Sequence, residues 1–393
     1  MSDARAGAAA IAALSIASAT MFMIPYSTQA IIPAIGRGLD VGPAVTGLTI
    51  TVVVVGIGVG AWLMGPLSDR IGRRAVMAGS CALLVVPTAL IAFVPGIWTL
   101  LALRGLQGLL LPGLLTVATA YIYEAFPSRR VPTVVGVYTS ALVLGGFLGR
   151  TIPALLVDPL GWRDALAVLA VPVLVSAVLI RLLLPEAPPP PKARSPLRAL
   201  RAHVANTPIL LNALAAGTTF FAFVGLFSVL AYRLESSVFG LDATQVGAFY
   251  IVWLVGALAP FAVALAGRLG PRRVLPVFPV VAALGLAVAC GPSLPLMVVG
   301  MMVLAGSLFF MVGVAQLLVP QLTLRDRGSA MSLHLTIYYL IGSAGPFAMG
   351  WAWSAWGWTG AVALAFAALA VALGLTALLR RSAPEAETGP MLS

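Results

Sequence analysis

Twelve long apolar runs leave this chain few ways to fold. They fall at 8–33, 43–67, 75–94, 97–121, 132–156, 164–184, 208–232, 243–266, 274–291, 294–318, 329–353 and 358–379. Most are roughly 20–27 residues long, enough for a helix to cross a hydrocarbon core of about 30 Å. No water reaches the backbone there, so a segment that closes its hydrogen bonds internally is required, and these runs are expected to be helices. Composition agrees: 61% of the 393 residues are hydrophobic and 9% are charged, too little charge to cover a water-soluble body. The first run starts near Gly7 and shows no small-residue cleavage site, so it reads as a span and not as a signal peptide. The fold class expected is an all-α integral membrane protein with twelve transmembrane helices.

The charges between the runs orient them. With the N-terminus placed on one face, that face collects 18 of the 23 basic residues. The opposite face holds Arg37, Arg163 and Arg233, and Arg104 and Arg150 fall inside spans. By the positive-inside rule both termini are expected in the cytoplasm, as an even number of spans requires. The net charge of +11 is therefore spread over short loops on one membrane face and points to no nucleic acid. Cys81 and Cys290 lie within apolar runs and read as buried free thiols, not as a disulfide or metal pair.

One loop carries most of the specific information. Between the second and third runs the chain reads Gly65-Pro66-Leu67-Ser68-Asp69-Arg70-Ile71-Gly72-Arg73-Arg74. This G-x-x-x-D-R-x-G-R-R pattern closely resembles the signature loop between helices 2 and 3 of major facilitator superfamily transporters. A weak copy, Gly267-Arg268-Leu269-Gly270-Pro271-Arg272-Arg273, follows the eighth run, and Gly146-x-x-Gly149 has a counterpart in Gly342-x-x-Gly345. The resemblance covers almost the whole chain. It implies two pseudo-symmetric six-helix halves, 1–184 and 208–379, related as parallel repeats. A proline-rich basic linker at 185–207 joins them, ending in a short interfacial helix with His203 on its surface, and 380–393 form a cytoplasmic tail.

The resemblance also assigns roles. It implies that in a closed arrangement Asp69 faces the start of span 11 and Arg73 pairs with Glu124, and that these contacts, with Arg70 and Arg74, latch the two halves on the cytoplasmic side and break as they rock, a conformational gate, with static stabilisation of the hairpin as the alternative. Gly65 and Gly72 would allow close helix approach and a tight turn. In span 4, Arg104-Gly105-Leu106-Gln107-Gly108 is similar to the R-x-x-Q-G element associated with proton-coupled antiport. Two readings of Arg104 stand: it faces a cavity, or it bonds neighbouring backbone carbonyls. In span 5, Gly136, Gly145 and Gly149, with Gly146, resemble the glycine-rich antiporter element, as bending and packing points. There Arg150 replaces a proline and Pro153-Ala154 replace the last glycine pair. That form is closer to sugar-efflux or uncharacterised inner-membrane branches than to the drug antiporters.

At 1.5 Å per residue, Arg104 lies about 10 Å and Arg150 about 9 Å below the same face, on antiparallel helices. All twelve acids fall in loops, tails or span ends, so the cavity is expected to be positively biased and to favour anionic or polar solutes. Arginine does not titrate. His334 is the one histidine in a span and is a candidate for proton coupling, with a packing role as the alternative and Asp69 and Glu124 as further candidates. Polar and aromatic candidates for the cavity are Tyr26, Gln29, Asn212, Phe220, Tyr250, Trp253, Gln316, Tyr338 and Tyr339. The resemblance places helices 1, 4, 7 and 10 around the cavity and so favours Tyr26, Gln29, Asn212, Phe220 and Gln316.

No phosphate-binding loop, metal cluster or nucleophile–base pair is evident, and Gly56-Ile57-Gly58-Val59-Gly60 lies mid-span, so no enzyme activity, metal or cofactor is expected. The function expected is secondary active transport of a small organic solute by alternating access, by proton-coupled efflux across a bacterial cytoplasmic membrane. The alternatives are uptake by symport or uniport of a small polar or anionic metabolite, and a transport-inactive receptor or scaffold. The partners expected are the solute, protons and the lipid bilayer, with the protein a monomer.

Overall fold

The computed structural model describes residues 3–186, 206–323 and 327–382, with side chains from Gly7 and, in the last segment, from Gly328. The linker beyond Glu186, with His203 and the expected interfacial helix, and the tail beyond Ser382 lie outside the described residues. Ten helical segments among those described are long and apolar enough to cross a membrane. Two of them, Val131–Leu183 and Gly328–Arg381, hold 53 and 54 residues. Each doubles back at one glycine, Gly161 (φ 78°) and Gly357 (φ 60°), in the left-handed region where a side chain would strain the backbone. At the first reversal Arg163 Nε donates to the Val94 carbonyl, 2.9 Å away. At the far end of the same segment Arg74 Nη1 donates to the Leu184 carbonyl, 3.1 Å away. The chain has therefore returned to the face of the signature loop. Among the described residues this makes twelve crossings.

Crossings 1 to 4 are Gly7–Tyr26, Pro43–Ile71, Arg73–Phe93 and Ile97–Ala125. Crossings 5 and 6 share Val131–Leu183 on either side of Gly161, and crossings 7 to 10 are Thr207–Glu235, Ala243–Leu269, Pro271–Ala289 and Leu294–Gln321. Crossings 11 and 12 share Gly328–Arg381 on either side of Gly357. Many large apolar side chains look outward (Phe93, Trp98, Leu182, Phe261), as a lipid-facing surface requires. Cys81 is buried, whereas Cys290, at the end of crossing 9, is only partly so.

Two elements depart from the expected single helices. The first run is not continuous from 8 to 33: its helix stops at Tyr26, turns through 27–31 and resumes as Ile32–Leu39. Pro25 and the polar stretch Tyr26-Ser27-Thr28-Gln29 explain the break, because proline withholds an N–H and these side chains compete for backbone groups. Crossing 8 opens on a capping box, Asp242 with Gln245, and then runs as a 3-10 helix over Tyr250–Leu258. Such tight winding rarely persists beyond about four residues without a packing reason.

Equivalent pairs build the two halves. Crossing 5 lies on crossing 1, with Gly145 on the Ala19 backbone and Gly149 on that of Met23. Crossing 11 lies on crossing 7, with Gly345 on the Phe221 backbone. Gly149 and Gly345, the second glycines of the two Gly-x-x-Gly stretches, thus serve the same contact in each half. Between the halves, crossing 2 meets crossing 11, and crossing 5 meets crossing 8. Both contacts lie toward the face opposite the signature loop. Gly47 sits on the Pro346 backbone and Gly350 on that of Pro43, and Thr51 Oγ1 donates to the Ser343 carbonyl at 2.6 Å. Gly247 packs on Ala154, and Thr151 Oγ1 donates to the Gly247 carbonyl at 3.1 Å. Trp62 Nε1 still reaches Thr336 Oγ1, at 2.7 Å. Past it, Leu63, Leu67 and Ile71 are exposed. The halves are closed on one face and diverge toward the basic one.

Candidate functional site

Both membrane-buried arginines converge on the break in crossing 1, from different sides and to different ends. Each is 0% exposed. Stopping a helix at Tyr26 orphans its last carbonyls, and in an apolar interior each orphan costs about 1–3 kcal/mol. Arg104 answers them. Its Nη1 donates to the Ile24 carbonyl (2.9 Å), its Nη2 to that of Pro25 (2.9 Å) and its Nε to that of Thr49 (3.1 Å). Nη1 also reaches Gln107 Oε1 at 2.8 Å, and Gln107 in turn donates to Thr88 Oγ1 at 2.9 Å. Arg104 and Gln107 therefore stitch crossings 1, 2, 3 and 4 together. Of the two readings open for Arg104, these hydrogen bonds fit the backbone-bonded one.

Arg150 lies on the other side of the break. Its Nε donates to Gln29 Oε1 at 2.7 Å, and its Nη1 donates to the Gly146 carbonyl one turn back. Three rings surround it: its guanidinium carbon lies 3.7 Å from the centroid of the Trp253 ring, 4.4 Å from Tyr26 and 5.2 Å from Tyr250. Its Nη2 has no hydrogen-bond partner among the described residues, and neither has the buried indole nitrogen of Trp253. Gln29 carries the contact across the halves, its Nε2 lying 3.5 Å from Ser228 Oγ on crossing 7. Tyr250 Oη donates to the Phe227 carbonyl at 2.9 Å. Cation–π contacts contribute about 2 kcal/mol each when desolvated, against several kcal/mol for taking one ion out of water. The rings ease the burial of Arg150 without supplying the missing acceptor.

The remaining candidates gather elsewhere. Asn212 donates to the Ala315 carbonyl at 2.8 Å, and its Nδ2 stands 3.5 Å from His334 Nδ1. His334 is fully buried, and its Nε2 lacks a partner among the described residues. Phe220 stacks on Tyr338 at 4.5 Å, with Tyr339 edge-on at 6.2 Å, and Gln316 is half-buried on crossing 10. The expected cavity set is therefore divided, and of the five favoured residues only Tyr26 and Gln29 meet Arg150. Tyr250 and Trp253 on crossing 8 complete the cluster. Favouring helices 1, 4, 7 and 10 set them aside. The signal available for them was an arginine in a span with no acid to face it.

In this state the signature loop is bonded within its own half. Arg73 does bond Glu124, through Nε at 3.1 Å and Nη2 at 3.0 Å, and its Nη1 meets Asp69 Oδ1 at 2.6 Å and the Ser68 hydroxyl. All four residues belong to the first half. This cluster ties the loop to the end of crossing 4 and does not by itself latch one half to the other. Asp69 turns to Arg73 four residues along, and the side chains at 324–327, before crossing 11, lie outside the described residues. Arg74 bonds Glu186, and Arg70 is exposed. Gly72, at φ 96°, makes the tight turn. Gly65 and Gly136 have open space where a Cβ would stand, so neither provides the expected close contact. Both lie toward the basic face, where the halves have parted. The bridge between halves is instead on the opposite face: Arg37 Nη1 pairs with Glu235 at 2.9 Å, and Tyr232 Oη lies 2.9 Å from Thr46 Oγ1.

Comparison with known proteins places this geometry in context. The family model described as Major Facilitator Superfamily matches residues 11–258. The inner membrane transport protein YnfM of Escherichia coli is 29% identical over 94% of this chain and 90% of its own length. Shorter stretches, both 28% identical, match the gentisate transporter of Corynebacterium glutamicum (42% of this chain, 37% of that protein) and the multidrug resistance protein MdtM of Escherichia coli (49% and 46%). A solved bacterial homologue of the human lysosomal transporter Spinster, inward-facing and occupied, superimposes with a TM-score of 0.77 at 18% identity, over 95% of this chain and 96% of that one.

Proposed function

The chain belongs to the major facilitator superfamily, and from that premise we propose that it is a secondary active transporter that moves a small organic solute across a bacterial inner membrane by alternating access. The observation that carries this reading is the one-sided closure: crossings 2 with 11 and 5 with 8 interlock on one face and part on the other. A buried, incompletely paired cation lies where crossing 5 meets crossing 8. By the positive-inside rule the basic face is cytoplasmic, which makes this the inward-open state. Rocking about the contact of crossing 5 with crossing 8 would expose the same point to the other side.

Proton-coupled efflux is the direction we favour. Its support is the resemblance of crossings 4 and 5 to antiporter elements and the relative named as a multidrug resistance protein. His334, with no charged side chain described against it, is then the candidate coupling group. One observation favours the second reading, uptake or uniport without a proton: among the described residues no Asp or Glu lies deep in a span. Solute counterflow and pH-gradient dissipation in proteoliposomes separate the two. Under efflux antiport, outward solute movement acidifies the opposite compartment, and His334→Gln keeps counterflow but abolishes the proton signal. Counterflow with no proton signal in the parent protein would assign the second reading.

A further inference from the structure

Two fully buried donors beside one glycine lack an acceptor, which a ligand could supply. Arg150 Nη2 and Trp253 Nε1 both lack a hydrogen-bond partner among the described residues. They come from different halves, crossing 5 and crossing 8, and share one neighbour. Arg150 Nη1 donates to the Gly146 carbonyl, and the Trp253 indole nitrogen lies where a Cβ on Gly146 would stand. Arg104 shows how the same fold satisfies a buried guanidinium, with carbonyls or amide oxygens on Nε, Nη1 and Nη2. Arg150 has acceptors on Nε and Nη1 only. No acidic side chain is described near it, so its charge is uncompensated as well as its Nη2. Around Trp253 stand Tyr26, Phe223 and Phe309, whose rings pack on it at 4.9–5.4 Å and bring no further charge.

We propose that Arg150 Nη2 and the Trp253 indole N–H bind the carboxylate of an apolar organic monocarboxylate, the solute this transporter carries. The proposal rests on the transporter reading above and adds the chemical class of its cargo. A carboxylate supplies what the protein withholds: one negative charge and two in-plane acceptors, able to take one donor from each half. One carboxylate is the match, because Arg104 already has acceptors on all three of its nitrogens and, of the two, only Arg150 keeps one without. The apolar body fits among rings that carry no ionic partner. An anion held by a donor from each half also lies where rocking must pass it from one side to the other.

Benzoate is the probe, with benzamide as its neutral isostere, benzylamine as the cation and inorganic phosphate as the non-organic anion. Binding is read on the full-length protein in nanodiscs by thermal shift and by quenching of tryptophan fluorescence. Benzoate is expected to raise the melting temperature with concentration, and benzamide, benzylamine and phosphate are not. Arg150→Gln is expected to weaken benzoate binding roughly 10- to 100-fold, as loss of a charge-assisted bond implies. Trp253→Phe keeps an aromatic face, removes the N–H and is expected to weaken binding about 5-fold. It stands as the test if Arg150→Gln fails to fold. Benzamide binding as tightly as benzoate, a response to phosphate alone, no response to benzoate, or equal binding by parent and variants would overturn the proposal. Counterflow in proteoliposomes separates this from the parent reading. Flux of neutral or cationic solutes but not of benzoate would sink the carboxylate site and leave the transporter. Benzoate binding without flux of any probe would leave the site and sink the transporter.

Discussion

Two arginines in one membrane interior have opposite fates, and their hydrogen bonds explain why. Arg104 is structural: Arg104→Gln strands the carbonyls of Ile24, Pro25 and Thr49 in an apolar interior and is expected to cost about 3 kcal/mol or more, read as a lowered melting temperature in detergent. Lysine should rescue little, since one ammonium cannot reproduce the planar fork. An unchanged melting temperature in Arg104→Gln would contradict the assignment. Arg150, with one edge open, is expected to respond in ligand binding more than in stability. At the signature loop, Arg73 and Glu124 lie in one half, so Glu124→Gln is expected to lower stability by about 1–2 kcal/mol without changing the balance of open and closed states. A shift in that balance, measured by cysteine accessibility, would restore a latch between halves.

The elements divide by whether their cause is local. Span number, order and the reversal points could be read from the sequence, because lipid imposes a length and a polarity on every crossing. The break at Tyr26 could be read only in part: Pro25 and the polar run to Gln29 mark it, but their apolar flanks read as one span. The 3-10 stretch Tyr250–Leu258 has no local mark, since its cause is packing against crossings 5 and 10. The closed face shows how magnitudes rank. The Arg37–Glu235 pair is solvent-exposed on the arginine side and, like other such pairs, contributes about 0–1 kcal/mol. Backbone contact at Gly47 and Gly350 admits no side chain. Gly47→Val is therefore expected to open this face strongly, and Arg37→Ala hardly at all, in the labelling of a cysteine introduced near Thr51. The reverse order would assign the closure to the ion pair.

At the scale of the whole molecule, the sequence resolved what the bilayer dictates and left open what one helix does to another. The signature loop, the basic-face asymmetry and the Gly-x-x-Gly pairs foretold a two-half bundle. They carried no information on register between halves, so Trp253 and Tyr250 could not be set against Arg150 before the coordinates were known. Nor could they say which face is closed. The account's central claim is that the halves rock between two closures, and paired spin labels test it without knowledge of the solute. One pair goes on the basic face, at Leu67 and Ser332, and the other on the opposite face, at Asp40 and Ser237, all exposed. Distances measured in nanodiscs are expected to fall into two populations that shift in opposite senses, the first pair shortening as the second lengthens, when pH or benzoate is varied. One fixed distance on each face under every condition would contradict the claim and leave a static membrane scaffold.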